Sequence, residues 1–115
     1  MRNILALALL LATPLLAQTP QSAREPQLEN ADVKVWKSTV LPNSPLPLHR
    51  HDHPRIIVAL TSGTMQLRNE DGTSETHVWQ TGKAYWYPAM PPGIRHQDVN
   101  VGTGPMEVMV VELQK

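Results

Sequence analysis

The sequence predicts an all-β fold, a small single-domain jelly-roll barrel. From Val33 onward, β-favouring runs are short and are separated by turn residues. No window of about ten residues has apolar side chains at helical spacing. The chain of 115 residues is 41% hydrophobic, enough for one core. Six to eight short strands in a chain of this length favour closure into a barrel, because closure removes exposed sheet edges.

Residues 1–17 are predicted to be a signal peptide. Arg2 precedes the apolar run Ile4–Ala12, and Thr13-Pro14-Leu15-Leu16-Ala17 follows before the polar residues that begin at Gln18. The alternative is a membrane anchor, but Ile4–Ala17 has only 14 residues, fewer than the roughly 20 that a bilayer span needs. We therefore expect cleavage after Ala17, export across the inner membrane into a bacterial periplasm, and no membrane attachment afterwards.

Residues 18–31 are predicted to be a flexible N-terminal segment. Hydrophobic residues are sparse there, and Pro20 and Pro26 interrupt the segment. The barrel domain is therefore assigned to residues 32–115.

Seven strands are predicted within this domain. They are Val33–Leu41, Arg55–Leu60, Thr64–Arg68, Glu75–Gln80, Lys83–Tyr87, Ile94–Val99 and Met106–Leu113. Residues 69–72 have the Asn, Asp and Gly chemistry of a hairpin turn. The first or the last of these strands is expected at a sheet edge, where it would allow two barrels to pair as a homodimer.

The charge and cysteine counts exclude several classes of function. Ten basic and ten acidic residues give a formal net charge of +0, and they are dispersed along the chain. Neither nucleic-acid binding nor a polybasic membrane patch is therefore expected, and the expected partner is a small-molecule ligand. The absence of cysteine excludes thiolate nucleophiles, iron–sulfur clusters and Cys-ligated zinc. Any metal must bind to histidine, carboxylate or amide groups.

Three of the five histidines lie in the segment His49–His53. On a strand, residues two apart share a face, so His49 and His51 would point into one space about 7 Å apart. This spacing suits a chelate, although three solvated loop histidines would give the same sequence. His96 stands alone after a proline-rich turn, and His77 lies among polar residues and is expected at the surface.

The pair His49-x-His51, followed twelve residues later by Gly63, resembles the first motif of the cupin superfamily. That motif carries a glutamate shortly after the second histidine. In this sequence the corresponding position is Ile56, which cannot bind a metal.

The segment Pro91-Pro92-Gly93, with His96 and Asn100, resembles the second cupin motif, which Gly82 would open. The spacing from Gly82 to Pro91 is three residues longer than in the motif. The resemblance implies a cupin-like barrel in which His49, His51 and His96 hold a metal, and it implies oxygenase or isomerase activity among the possible functions.

A three-histidine site without a carboxylate favours Fe, Zn, Cu or Ni over Mg, Ca or Mn. His53 is the better replacement for the missing ligand, because Arg55 has only hydrogen-bond donors. The register of the resemblance implies that Ile56 faces inward as an apolar wall and Arg55 faces outward. A register shifted by one residue would place Arg55 in the pocket, where it could hold a substrate carboxylate.

Asp98 would share a face with His96 on a straight strand. It is therefore a candidate for orienting a ligand imidazole or for a general base, and an ordinary polar strand residue is the alternative.

Three functions remain open: a metalloenzyme acting on a small molecule, a non-catalytic barrel binding a small molecule or metal, and a structural barrel whose metal site has decayed.

Overall fold

The computed structural model describes residues 8–12 and 19–115. Most of the segment for which we expect a signal peptide lies outside these ranges. Within the described ranges, no helix is long and apolar enough to cross a membrane.

The described residues form eight β-strands and no helix, which confirms the predicted all-β class. The strands are β1 Ala23–Glu29, β2 Val33–Val40, β3 Arg55–Ala59, β4 Gly63–Asn69, β5 Ser74–Trp79, β6 Ala84–Tyr87, β7 His96–Asn100 and β8 Met106–Leu113. They make a five-stranded antiparallel sheet in the order β1-β2-β8-β3-β6 and a three-stranded antiparallel sheet in the order β5-β4-β7. The inner faces of the two sheets enclose one core, as in a jelly roll.

Strand β1 differs from the sequence prediction, which made residues 18–31 a flexible segment. Ala23–Glu29 pairs along β2, and all its residues are exposed. Because the strand is held by backbone pairing and not by burial of apolar side chains, its sequence carries no hydrophobic alternation.

The predicted edge strands are also wrong. Strand β2 lies between β1 and β8, and β8 lies between β2 and β3, so neither is at an edge. The edges of the larger sheet are β1 and β6.

Strand β3 corrects the register implied by the resemblance. Ile57 pairs with Val110, and both side chains are buried in the core. Arg55 pairs with Glu112 and faces the same interior, whereas Ile56 faces the opposite side. Directly paired residues of antiparallel strands share a face, so the apolar residues of β8 set this register.

Asn100 holds the end of β7 to its surroundings. Its Nδ2 donates to the carbonyl oxygens of Val40 and Gly104 at 2.8 and 2.7 Å, and its Oδ1 accepts from the amide of Gly102 at 2.9 Å. The side chain is 3% exposed, so water cannot replace these partners. The amide therefore closes the loop between β7 and β8 against the end of β2.

Asn100→Ala is expected to lower the free energy of unfolding by about 2–3 kcal/mol, because it leaves buried backbone groups without partners. Denaturant unfolding of the purified variant measures the change. The matched control is Asn69→Ala, which removes one hydrogen bond to Thr73 at the exposed β4–β5 turn and should cost less than about 1 kcal/mol. Equal losses in the two variants would contradict this account of Asn100.

Candidate metal centre

His49 and His51 lie between β2 and β3 in a segment that is not part of a strand, unlike the strand expected from the sequence. An isolated antiparallel bridge joins this segment to the start of β7. The His49 amide donates to the His96 carbonyl at 2.9 Å, and the His96 amide donates to the His49 carbonyl at 2.8 Å. The backbone therefore places His96 directly opposite His49, although 47 residues separate them.

Further bonds fix the same segment to the proline-rich loop before β7. The Arg50 guanidinium donates through Nη1 to the carbonyl oxygens of Pro91 and Ile94, at 2.9 and 2.6 Å. The Met90 amide donates to the His51 carbonyl at 2.9 Å. Gly93 turns this loop at φ +80°, a backbone conformation that side chains disfavour. The loop and the histidine segment are thus positioned together.

One ring nitrogen from each of His49, His51 and His96 lies within 4.8 Å of the others. The ring centroids are 4.6 to 5.3 Å apart. His51 is 4% exposed and His96 is 3% exposed, and the His51 ring stacks on Trp36 with an interplanar angle of 4°. The sequence prediction that these three side chains converge is confirmed as geometry.

Hydrogen bonds select the tautomers of two of these imidazoles. His49 Nδ1 lies 2.7 Å from the Pro47 carbonyl oxygen, which can only accept, so Nδ1 carries the proton. His51 Nδ1 lies 2.8 Å from Glu112 Oε2, and an ionised Glu112 accepts its proton in the same way. In both rings the Nε2 lone pair is therefore available to a metal ion.

His96 makes a different contact. Its Nε2 lies 3.0 Å from His49 Nε2. Since the His49 proton is on Nδ1, His49 Nε2 accepts and His96 Nε2 donates. Metal binding would require the His96 proton to leave Nε2, and the His49–His96 hydrogen bond would then be replaced by two bonds to the metal.

Burial keeps these imidazoles neutral, which is the form that binds metals. Desolvation, with a further contribution from the positive charge of Arg55, lowers the pKa of His51 from 6.5 to about 2. Desolvation lowers the pKa of His96 to about 4, although the nearby Asp98 carboxylate partly opposes the shift. The pKa of His49 is also lowered, mainly by desolvation.

The donor set fits a small transition-metal ion. Tetrahedral Zn–N bonds of about 2.0–2.1 Å place ligand nitrogens about 3.4 Å apart, close to the 3.0 Å between His49 Nε2 and His96 Nε2. The Asp98 carboxylate lies 3.7 Å from His49 Nε2 and 3.6 Å from His96 Nε2. It therefore lies beside the donor atoms, where it can act as a further ligand or as a base.

The other sequence candidates lie elsewhere or have different roles. His53 is outside the three-histidine group, and Ile56 does not face the interior. Arg55 is buried in the interior at 4% exposed, as in the register shifted by one residue and not as in the register of the resemblance, in which it faces outward. His77 lies 3.1 Å from Glu75 and bonds to the Tyr87 hydroxyl, away from the three-histidine group.

Sequence reasoning missed Glu112. It lies 61 residues from His51, so no local motif joins the two residues. A signal was nevertheless present on β8, where Met106, Val108 and Val110 alternate inward and Glu112 continues the same face.

Comparison with known proteins identifies the family. No protein-family model matches the chain. The beta-alanine degradation protein BauB of Pseudomonas aeruginosa is 32% identical over 88 residues, which cover 76% of this chain and 86% of BauB. Auxin-binding protein 1 of Arabidopsis thaliana is 32% identical over 88 residues, covering 70% of this chain but 41% of that protein.

Solved structures show the same fold. A cupin domain from Bordetella pertussis superposes with a TM-score of 0.72 at 24% identity, covering 86% of this chain and 99% of that one. An RmlC-like cupin with a double-stranded β-helix fold, from Methanocaldococcus jannaschii, gives a TM-score of 0.63 at 17% identity, covering 87% of this chain and 86% of that one. The chain belongs to the cupin superfamily.

The buried neutral histidines predict acid sensitivity of the metal-free protein. Folding lowers the pKa of His96 from 6.5 to about 4, so between these pH values the unfolded chain binds more protons than the folded chain. The free energy of unfolding should therefore be greatest above pH 6.5 and should decrease as the pH falls toward 4. Denaturant unfolding of chelator-treated protein across this range measures the slope. The double variant His51→Gln with His96→Gln should flatten it, and an unchanged slope would contradict the assignment.

Glu112→Ala is expected to lower metal affinity by about 10–100-fold, because the His51 imidazole loses the partner that fixes its proton on Nδ1. Competition with a colourimetric chelator measures the affinity. Glu107→Ala is the matched control: it removes a carboxylate from the same strand that lies near Lys37 instead of the histidines. Similar losses in both variants would refute a specific role for Glu112.

Proposed function

We propose that this cupin binds one divalent transition-metal ion through His49, His51 and His96 and presents it to a small-molecule ligand. The observation that carries this proposal is the convergence of three neutral imidazoles whose ring nitrogens lie within 4.8 Å of one another. Orienting bonds from Pro47 and Glu112 support it, because they leave Nε2 lone pairs directed toward a common point.

The chemistry of the donors narrows the metal to Fe, Zn, Cu or Ni. Imidazole nitrogen suits these ions, whereas Mg and Ca prefer sets of oxygen ligands. The inward position on β3 beside the centre is occupied by Arg55, which cannot ligate. Three protein nitrogens leave coordination positions available to a ligand and to Asp98.

Two observations support a small molecule as the ligand. A cavity of about 320 Å³ is lined by His96 together with Arg55 and several apolar side chains, and this volume suits a small organic molecule. The names of BauB and auxin-binding protein 1 associate those relatives with β-alanine and with auxin, both small molecules.

The position of Asp98 favours turnover as a second candidate, with an oxygenase-like or isomerase-like reaction. A metal of this class would supply Lewis-acid or redox chemistry to a bound molecule. Asp98 lies within 3.7 Å of two donor nitrogens, so it is placed to accept a proton from a group bound at the centre.

We also propose that residues 1–17 direct export and that metal is acquired outside the cytoplasm. The order of a basic residue, an apolar run and a short segment that ends in the small residue Ala17 supports this. The metal test therefore uses full-length protein expressed with this segment and recovered from the periplasmic fraction, and the mass of the recovered chain reports the cleavage site.

Elemental analysis of that protein is expected to give about one Fe, Zn, Cu or Ni ion per chain. The double variant His49→Ala with His96→Ala should contain none, whereas the control His77→Ala should retain the ion, because His77 lies outside the three-histidine group. A chelator should also lower the melting temperature of the wild type, since binding is coupled to folding.

A wild type without metal, even after reconstitution, would refute this proposal and leave a structural or metal-free barrel. Loss of metal in His77→Ala alone would refute the assignment of the ligands.

A further inference from the structure

Arg55 is a buried charge that the proposed metal site does not use. Arg55 lies on β3 and is 4% exposed. Its guanidinium makes no hydrogen bond or ion pair with any residue in the ranges 8–12 and 19–115. Burying an unpaired charge is unfavourable, so such a group normally has a partner. The described part of the chain provides none.

The guanidinium nitrogens face open space within the barrel. Among the described residues, no fully buried side-chain nitrogen or oxygen lacks a hydrogen-bond partner. Since Arg55 makes no such bond, its N–H groups border a cavity instead of being sealed by protein atoms. The Tyr87 ring, 5.1 Å from the guanidinium carbon, supports one face of the group and leaves the N–H groups at its edge free.

The two nearby acids are engaged with the histidines. Glu112 Oε2 bonds to His51 at 2.8 Å, and Asp98 lies beside His49 and His96. Neither carboxylate comes within 4.0 Å of Arg55.

The cavity beside Arg55 has polar and apolar parts. Arg55 and His96 line the same space of about 320 Å³, and Leu67, Met90 and Ile94 supply apolar surface. Polar side chains also line this space: Asn69, Asp71, Thr73 and Glu75. Arg55 also lines a narrow gap that it shares with His51 and Asp98. A molecule in this cavity can therefore contact the guanidinium while it lies next to the histidine centre.

We propose that Arg55 binds the carboxylate of a small organic acid whose apolar part occupies this cavity. The planar guanidinium offers two parallel N–H donors, which match the two oxygens of a carboxylate. One unpaired guanidinium balances one negative charge, and the apolar surface favours a carboxylic acid over inorganic phosphate. The proposal rests on the proposed metal function in that it names the class of ligand presented to the metal.

The local charge supports an anionic ligand. Arg24, whose guanidinium carbon lies 5.2 Å from the centre of the Trp36 ring, borders the same narrow gap as Arg55. Asp98 is the acidic residue that borders this gap, so the two arginines outnumber the carboxylates there. Asp71 and Glu75 line the larger cavity, but both are exposed, so an anion meets a positive surrounding beside Arg55 and not along the whole cavity wall.

Calorimetry and ligand-observed NMR with matched probes test the proposal. The probes are acetate, butyrate and benzoate, the corresponding neutral amides, and inorganic phosphate. Each is titrated into metal-loaded and chelator-treated protein, for the wild type, Arg55→Gln, Arg55→Lys and Arg95→Gln. Arg95 is the control because its guanidinium is exposed and is paired with Glu70.

At least one carboxylate is expected to bind the wild type about tenfold or more tightly than its amide, and Arg55→Gln should abolish this preference. Arg55→Lys keeps the charge but not the planar pair of donors, so it should retain a weaker preference. Arg95→Gln should behave as the wild type. The ligand-free melting temperature of Arg55→Gln should stay the same or rise, because a buried unpaired charge has been removed.

Three results would overturn the proposal. The first is a wild type with no preference for carboxylates, including one that binds none of them. The second is a preference that persists in Arg55→Gln, which would assign the carboxylate to the metal, and the third is tighter binding of phosphate than of any carboxylate. A marked fall in the ligand-free melting temperature of both Arg55 variants would also overturn it, since Arg55 would then be a structural residue.

Metal content separates this proposal from the previous one. Arg55→Gln should keep its metal, which also shows that the variant is folded. The wild type could contain no metal, while its chelator-treated form still prefers carboxylates and loses that preference in Arg55→Gln. This combination would refute only the proposed metal function.

Discussion

The candidate site depends on the backbone bridge between His49 and His96. Two hydrogen bonds of 2.9 and 2.8 Å join a segment that is outside any strand to the first residue of β7. The Arg50 guanidinium strengthens the connection by bonding to two carbonyl oxygens of the loop before β7. Because backbone atoms make the bridge, the histidine side chains remain free to point toward one another. The backbone therefore positions the donors, so metal binding has less conformational entropy to lose.

The electrostatics of the site follow from its enclosure. Desolvation lowers the pKa values of all three histidines, so they remain neutral where solvated imidazoles would begin to protonate. Glu112 is placed where its negative charge orients the His51 imidazole. The neutral imidazoles that suit a metal also make the metal-free protein sensitive to acid. The burial that favours the site therefore lowers the stability of the metal-free protein at acid pH.

The register of β3 shows how packing overrides a local motif. The resemblance aligns Ile56 with a glutamate ligand, but the pairing of Ile57 with Val110 turns Ile56 away from the interior. Arg55 enters the interior in its place, opposite Glu112. A cation at this position cannot complete a metal site, but it can attract an anion to the metal. The one-residue difference therefore replaces the expected apolar wall of Ile56 with a buried cation, the group that we propose binds a carboxylate.

The sequence by itself determined the all-β class, seven of the strands and which three histidines form the candidate site. Alternating apolar residues, turn residues and spaced motifs are all local signals. It did not reveal β1, whose residues are all exposed and which pairs with β2 through its backbone without burying apolar side chains. Nor did it reveal the role of Glu112 or decide between the outward and the inward position of Arg55. Those features depend on which residues meet across paired strands, and a one-residue shift in pairing reverses which side chains face the interior. Only the tertiary structure decided that pairing, because the buried apolar residues of β8 and β3 had to meet in one core.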